Sequence, residues 1–226
     1  YVYERCPLYK KKFDEIGVLP SDIKGIEDIT QLPFTTKMDM RDSYPWGLFS
    51  RPRTDLVEIH VSSGTTGNPT LVGYTRDDIR LWGEVMARAL CCAGAERDDT
   101  IQIAYGYGLF TGGLGFHYGA MEMGLTIIPI SSGQTKRQIK IMQDIQPRIL
   151  ACTPSYCLYM VDAAKEMGID PRSSSWQIAV LGAEPWSEAM CHEIEQAWDL
   201  LATDIYGLSE ICGPGVAQEC PYKSGL

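Results

Sequence analysis

The densest chemistry in the chain lies in Ser62-Ser63-Gly64-Thr65-Thr66-Gly67-Asn68-Pro69-Thr70, a run of hydroxyls set around two glycines. Glycine lets a backbone turn tightly and bring its N–H groups against a ligand, and Ser/Thr hydroxyls add donors without bulk or charge. That composition suits phosphate oxygens, and it equally suits a plain surface turn. A Walker-type loop is a poor match, because such a loop needs Lys directly after its last glycine and Asn68 stands there. Pro69 also opposes a helix running straight out of the loop, so the local order reads strand, loop, strand.

Three further stretches have the same character. Gly182-Ala183-Glu184-Pro185-Trp186 is compact enough for a flat base to lie on its backbone, or is a simple strand-to-helix turn ahead of Ser187. Tyr206-Gly207-Leu208-Ser209-Glu210 combines a ring, a turn glycine, a hydroxyl and a carboxylate. Such a carboxylate is either a solvated side chain or a ligand for Mg²⁺, which takes one or two carboxylates together with phosphate oxygens. Tyr105-Gly106-Tyr107-Gly108-Leu109-Phe110-Thr111-Gly112-Gly113 alternates rings with glycine, as core aromatics or as the wall of a pocket for a flat apolar group.

The elements that must hold these loops emerge from apolar periodicity and punctuation. Strands are expected at 56–61, 71–74, 101–105, 125–130, 148–152, 177–181 and 201–206. Helices are expected from Thr75 to Gly94, over 112–124 and 135–145, from the Thr153-Pro154 cap to Gly168, and from Ser187 to Trp198. The alternation predicts an α/β fold, a mostly parallel sheet flanked by helices on both faces, with 56–61 as its first strand. Ligands of such sheets bind off the carboxyl ends of the strands, and each of the four loops comes directly after a strand. Residues 1–55, with a short helix ending at Gly17 and Lys10–Lys12 on its wet face, read as a helical and irregular N-terminal segment packed on a main domain at 56–226.

Bulk properties narrow the partners. The 226 residues carry a net charge of -9, which argues against nucleic acid and requires any positive potential for a nucleotide to be made locally. No apolar run reaches the length of a membrane span, and charged residues occupy the start where a signal peptide would be apolar, so a cytoplasmic protein is expected. The eight cysteines lack a C-x-x-C pair and read mainly as buried free thiols, with Cys212 and Cys220 held open.

Taken together the loops resemble a family. Ser62–Thr70 is similar to the phosphate loop of the adenylate-forming enzymes, and Tyr206–Glu210 to their Y-G-x-[ST]-E motif. Leu32-Pro33-Phe34-Thr35-Thr36-Lys37, Tyr105–Gly113 with His117-Tyr118-Gly119, Cys152-Thr153-Pro154-Ser155-Tyr156, Gly182–Trp186 and Gly213-Pro214-Gly215-Val216-Ala217 resemble phenylacetate–CoA ligases, in order along essentially the whole chain. The resemblance implies the large N-terminal domain of such an enzyme and a two-step reaction. An arylacetate is activated by ATP to an acyl-adenylate, and coenzyme A then displaces AMP as a thioester.

By the same resemblance Ser62, Ser63, Gly64, Thr65, Thr66 and Gly67 cradle ATP phosphates, with Thr65, Thr66 and Glu210 central to catalysis. Ala183, Glu184 and Pro185 contact adenine, and Asp204, Ile205, Tyr206 and Gly207 complete the nucleotide site. Ser209 lies near the α-phosphate, and Glu210 binds Mg²⁺. Tyr105, Phe110, Gly113 and Pro214 border the aryl pocket, and Cys220 is one ligand of a structural Zn²⁺ completed by later residues. A homodimer belongs to the same set of implications. Two departures qualify the match: Asn68 replaces a common Lys, and the chain stops at Leu226, about half the family's length, before the ribose-binding Asp, the hinge and the mobile lysine. The alternatives are a catalytically incomplete nucleotide-binding fragment or scaffold module, and an adenylating enzyme for another aryl acid.

Overall fold

The computed structural model describes residues 1–62 and 69–226. The chain divides into two compact units, 1–76 and 77–226.

The first unit begins with helices α1 (Val2–Arg5) and α2 (Pro7–Ile16). Pro7 opens α2 where a missing N–H costs nothing, and Gly17 closes it with φ +67°. Phe13 is buried with its ring edge-on to Tyr3 at 5.8 Å. Lys10 and Lys11 keep to the wet face and pair one turn on with Asp14 and Glu15. Lys12 departs from the expected solvated face, because its ammonium reaches Asp39 at 2.8 Å and the carbonyl of Phe34 at 2.9 Å. Asp39 closes a capping box with Thr36 at the start of α3 (Lys37–Asp42).

Strands β1 (Leu56–Val61) and β2 (Leu71–Thr75) come next and pair antiparallel, with Val61 opposite Leu71. They form a two-stranded sheet of their own, which corrects the expectation that 56–61 opens the parallel sheet. The physical reason is length: a return within nine residues can make an antiparallel hairpin, whereas a parallel neighbour needs a longer crossover. On this hairpin His60 is buried, its Nε2 lies 2.6 Å from Glu58 Oε1, and its ring stands edge-on to Tyr74.

The second unit alternates as expected: α4 (Arg76–Cys92), β3 (Thr100–Ile103), α5 (Thr111–Met123), β4 (Thr126–Ile128), α6 (Thr135–Ile145), β5 (Ile149–Cys152), α7 (Pro154–Glu166), β6 (Ile178–Gly182), α8 (Glu188–Trp198), β7 (Leu201–Leu208) and β8 (Gly213–Gln218). Strand order is β4-β3-β5-β6-β7-β8; all neighbours are parallel except the last pair. The chain leaves β3 toward one edge and leaves β5 toward the other, so the switch point lies between their carboxyl ends. Strand β8 goes beyond the sequence reading: Gly213-Pro214-Gly215 has the composition of a turn, but left-handed Cys212, Gly213 and Gly215 bend the chain back into a paired strand.

Side chains alternate across the sheet. Leu150, Cys152, Ala179, Leu181 and Ala202 face a core shared with Ile139 and Met142 of α6, Met160 and Val161 of α7, and Ile194 and Trp198 of α8. Helix α5 packs on β3, β4 and β8 and also meets α4, where Gly119 lets the backbone of α5 close on Met86 and Trp82 meets Tyr118 edge-on at 5.8 Å. Among the described residues no helix is long and apolar enough to cross a membrane.

Candidate active site

The carboxyl edge of the six-stranded sheet collects three of the four loops. Past β3, Tyr105 is buried and its ring stacks on Phe116 of α5 at 5.1 Å. Burial pushes its hydroxyl far above the ordinary phenol range, with Cys152, Glu184 and Asp204 adding to the effect, so it stays a neutral group. Gly113 enters the first turn of α5 against this loop, and a Cβ there would stand 2.6 Å from the carbonyl of Gly106. Tyr107 is fixed at two points. Its N–H donates to Ser131 Oγ at 3.3 Å, and its hydroxyl lies 3.2 Å from His117 Nδ1. Burial raises the Tyr107 hydroxyl to about 12 and lowers the His117 imidazole. Phe110, 58% exposed, stands at the N-cap of α5 with its ring open to solvent.

The exits of β5 and β6 are tied together. Thr153 Oγ1 caps α7 through the N–H of Tyr156 at 3.4 Å, and Pro154 takes the first helical position. Glu184 Oε1 accepts the N–H of Ser155 at 2.7 Å, adding a negative charge at the same helix start. Gly182 packs so close to Ile205 that a Cβ would collide with its carbonyl, and Ala183 adopts φ +70°. The backbone of Ala183, Glu184 and Pro185 therefore lies along the rim, with Ala183 and Pro185 exposed.

Next to β6, strand β7 carries Asp204, Ile205, Tyr206 and Gly207. The Ile205 side chain is buried in the core, whereas the Tyr206 ring is 49% exposed at the edge. Gly207 sits where any side chain would strike the carbonyl of Gly213 on β8. Ser209 and Glu210 occupy a single 3-10 turn between β7 and β8, both half-buried. Trp82 of α4 anchors β8 from below, its indole N–H donating to the carbonyl of Pro214 at 3.1 Å.

Of the hydroxyl loop, Ser62 and Thr70 close the base: Ser62 N–H donates to Thr70 O at 2.9 Å and Thr70 N–H to Ser62 Oγ at 2.8 Å. Ser63, Gly64, Thr65, Thr66, Gly67 and Asn68 lie outside the described residues. Among the described residues no group of three or more His, Cys, Asp or Glu gathers as a metal site, and Cys220, a half-buried free thiol, has no such cluster around it. All eight cysteines are free; Cys6, Cys152 and Cys157 are buried, but Cys91 and Cys92 are exposed, contrary to expectation, on the outer end of α4.

The profile of a family described as AMP-binding enzyme matches residues 20–225. The chain belongs to the AMP-binding enzyme family. It is similar to the phenylacetate-coenzyme A ligase of Thermus thermophilus, 50% identical over 97% of this chain and 49% of that protein. The corresponding figures are 51%, 97% and 50% for the ligase of Aromatoleum evansii, and 50%, 97% and 51% for that of Escherichia coli (strain K12). The chain thus spans about half the length of the curated relatives it matches. Among solved structures, 2-hydroxyisobutyryl-CoA ligase in complex with 2-HIB-AMP and CoA in the thioesterification state superposes with a TM-score of 0.92, at 26% identity over 99% of this chain and 49% of that one.

Within this AMP-binding fold, the edge of the second unit holds Tyr105, Phe110, Gly113, Glu184, Tyr206, Ser209 and Glu210 on the loops that sequence reasoning singles out. It also holds a segment that sequence reasoning passes over. Residues 131–134, past β4, accept bonds from Tyr107, Gln138 and Tyr156. The available signal was Ser-Ser-Gly shortly after a strand.

Proposed function

We propose that the protein bearing this chain is an ATP-dependent arylacetate–CoA ligase with phenylacetate as its acid. The observation that carries this reading is the near-50% identity to phenylacetate-coenzyme A ligases across 97% of the chain, a span that takes in all four loops. In the reaction the acid's carboxylate attacks the α-phosphorus of ATP, pyrophosphate leaves, and the thiolate of coenzyme A displaces AMP to give the thioester. Both reactants of the first step are anions, so the work of the site is positioning and charge neutralisation.

The residues fit the groups assigned to them. Ser62 and the loop beyond it supply hydroxyls and N–H donors for the phosphates without adding side-chain charge. Gly182 and Gly207 leave the exits of β6 and β7 clear of side chains, and the rim backbone at Ala183–Pro185 with the exposed ring of Tyr206 provides faces for adenine. Ser209 is assigned to the α-phosphate. Glu210, on the 3-10 turn past β7, suits Mg²⁺, which arrives with phosphate oxygens and asks the protein for few carboxylates. Bound Mg²⁺ would neutralise phosphate charge. Tyr105, Phe110, Gly113 and Pro214 are assigned to the aryl group, and the neutral Tyr105 hydroxyl adds no charge near the acid.

The test is pyrophosphate release by the full protein from ATP, with and without phenylacetate. Release that depends on the acid supports the reading, and equal release in both overturns it. Tight binding of a non-hydrolysable acyl-adenylate mimic without any release would make the protein a binding module instead.

A further inference from the structure

Two amides are fully buried beneath the carboxyl edge of the sheet. Gln102 projects from β3 among apolar neighbours, and Gln138 from α6; both have zero exposure. Burying an amide costs free energy where its groups lack partners, and among the described residues all of these groups but Gln102 Oε1 are bonded. Gln102 Nε2 donates to Gln138 Oε1 at 2.8 Å and to the Gln138 carbonyl at 3.2 Å. That grip leaves Gln138 Nε2 facing the opposite way, where it donates to the carbonyls of Ser131 at 2.7 Å and Gly133 at 3.2 Å.

The turn it holds is strained. Ser131, Gly133 and Gln134 have φ of +67°, +81° and +49°, and two of the three are not glycine. Left-handed non-glycine residues are costly and persist only where the surroundings over-determine them. Here the determinants are visible: Gln138 from below, Tyr156 donating its hydroxyl to Gly133 O at 3.1 Å, and Ser131 N–H bonded to Ile103 O at 3.1 Å. The turn in its own right presents Ser131 Oγ to the N–H of Tyr107. Tyr107 lies in the middle of the aromatic–glycine loop, and its ring borders Gly113, with Cδ2 3.3 Å from where a Cβ would be.

We infer that Gln138 is a positioning residue for the acid-binding loop, acting through the Ser131–Gln134 turn to set the backbone of Tyr107. The chain of contacts runs Gln102, Gln138, Ser131, Tyr107 and stays on the β3 side of the switch point, away from the exits of β6 and β7 where the nucleotide is assigned. The inference deepens the arylacetate reading and rests on it for its kinetic consequence, but its structural consequence stands separately.

The test uses the full protein and two variants. Gln138→Glu keeps the acceptor for Gln102 and replaces the donors to Ser131 and Gly133 by acceptors. Ser131→Ala removes only the oxygen that accepts the Tyr107 N–H. Each is expected to raise KM for phenylacetate about tenfold, with KM for ATP within about twofold, since a small misplacement of a positioning loop is felt at the group it orients. Backbone hydrogen exchange across 104–113 is expected to speed up, with 201–208 unchanged. Equal shifts in both KM values, or unchanged exchange over 104–113, overturn the inference. If Gln138→Glu does not fold, Ser131→Ala decides by the same criteria. If the wild type shows no acid-dependent turnover, the arylacetate reading fails, and the exchange result alone supports or overturns the positioning role.

Discussion

The carboxylate of Glu184, two residues past β6, accepts the backbone N–H of Ser155, one residue inside α7, at 2.7 Å. The bond joins the exits of two adjacent parallel strands and places a negative charge at a helix start, where unsatisfied N–H groups favour it. Glu184 therefore supports the rim structurally, whatever it offers a nucleotide.

Glu184→Ala is expected to lower stability by about 1 kcal/mol, the worth of a charged helix cap, and Glu184→Gln by roughly half as much because an acceptor remains. Urea unfolding of both variants checks the order. Equal losses would show that the carboxylate's charge and acceptor contribute nothing distinct.

Two glycines of the edge should respond oppositely to a methyl group. At Gly207 a Cβ collides with the carbonyl of Gly213, which β8 cannot yield without unpairing from β7; at Gly108 a Cβ meets nothing within 4 Å. Gly207→Ala is expected to cost about 3 kcal/mol, at the upper end of overpacking, while Gly108→Ala stays within about 0.5 kcal/mol of wild type. Thermal unfolding of the pair measures the contrast.

The acid limb of stability has a named contributor. Lys12, then the N–H and hydroxyl of Thr36, hold the Asp39 carboxyl down at about 2, below its ordinary value of 3.8. A carboxyl depressed on folding stabilises the native state above its unfolded pKa, and that contribution is lost as pH falls from near 4 through about 2. Asp39→Asn is expected to flatten the stability curve within that window and to lower stability at neutral pH. A parallel downward shift at all pH values, with the slope kept, would assign the acid sensitivity to other groups.

Much of this arrangement is written locally in the sequence. Helix α6 spans Thr135–Ile145 as its periodicity predicts, ended by Gln146 in a left-handed turn before Pro147, and Thr153-Pro154 starts α7 as the cap rule requires. Those signals are short-range chemistry. The features that sequence does not reveal depend on partners distant along the chain. The alternation in Leu56–Val61 identifies a strand but not its neighbour, so its separation from the parallel sheet could not be read. Strand β8 hides behind Gly213-Pro214-Gly215, because glycine composition marks a bend and says nothing of the pairing beyond it. Gln138 looks like any polar residue of an amphipathic helix until Gln102, 36 residues earlier, is seen to meet it. The loops that carry the candidate site residues stand out because their composition is local; the amide pair beneath them does not, because it is tertiary.

The sharpest test of the proposed reaction falls on Glu210. It sits in the 3-10 turn Ser209–Ile211 between two paired strands, half-buried and outside the core. A glutamate kept for the turn alone would affect stability more than rate, whereas one that orients Mg²⁺ and phosphate acts on charge that must be neutralised for the α-phosphorus to be attacked. Glu210→Gln preserves size and hydrogen-bonding capacity while removing the charge. It is expected to reduce acid-dependent pyrophosphate release by about 100-fold or more and to leave stability within about 0.5 kcal/mol. Added Mg²⁺ should recover part of the loss, because the weakened ligand is met by mass action. Unchanged turnover with a clear loss of stability would make Glu210 a turn residue and remove it from the reaction.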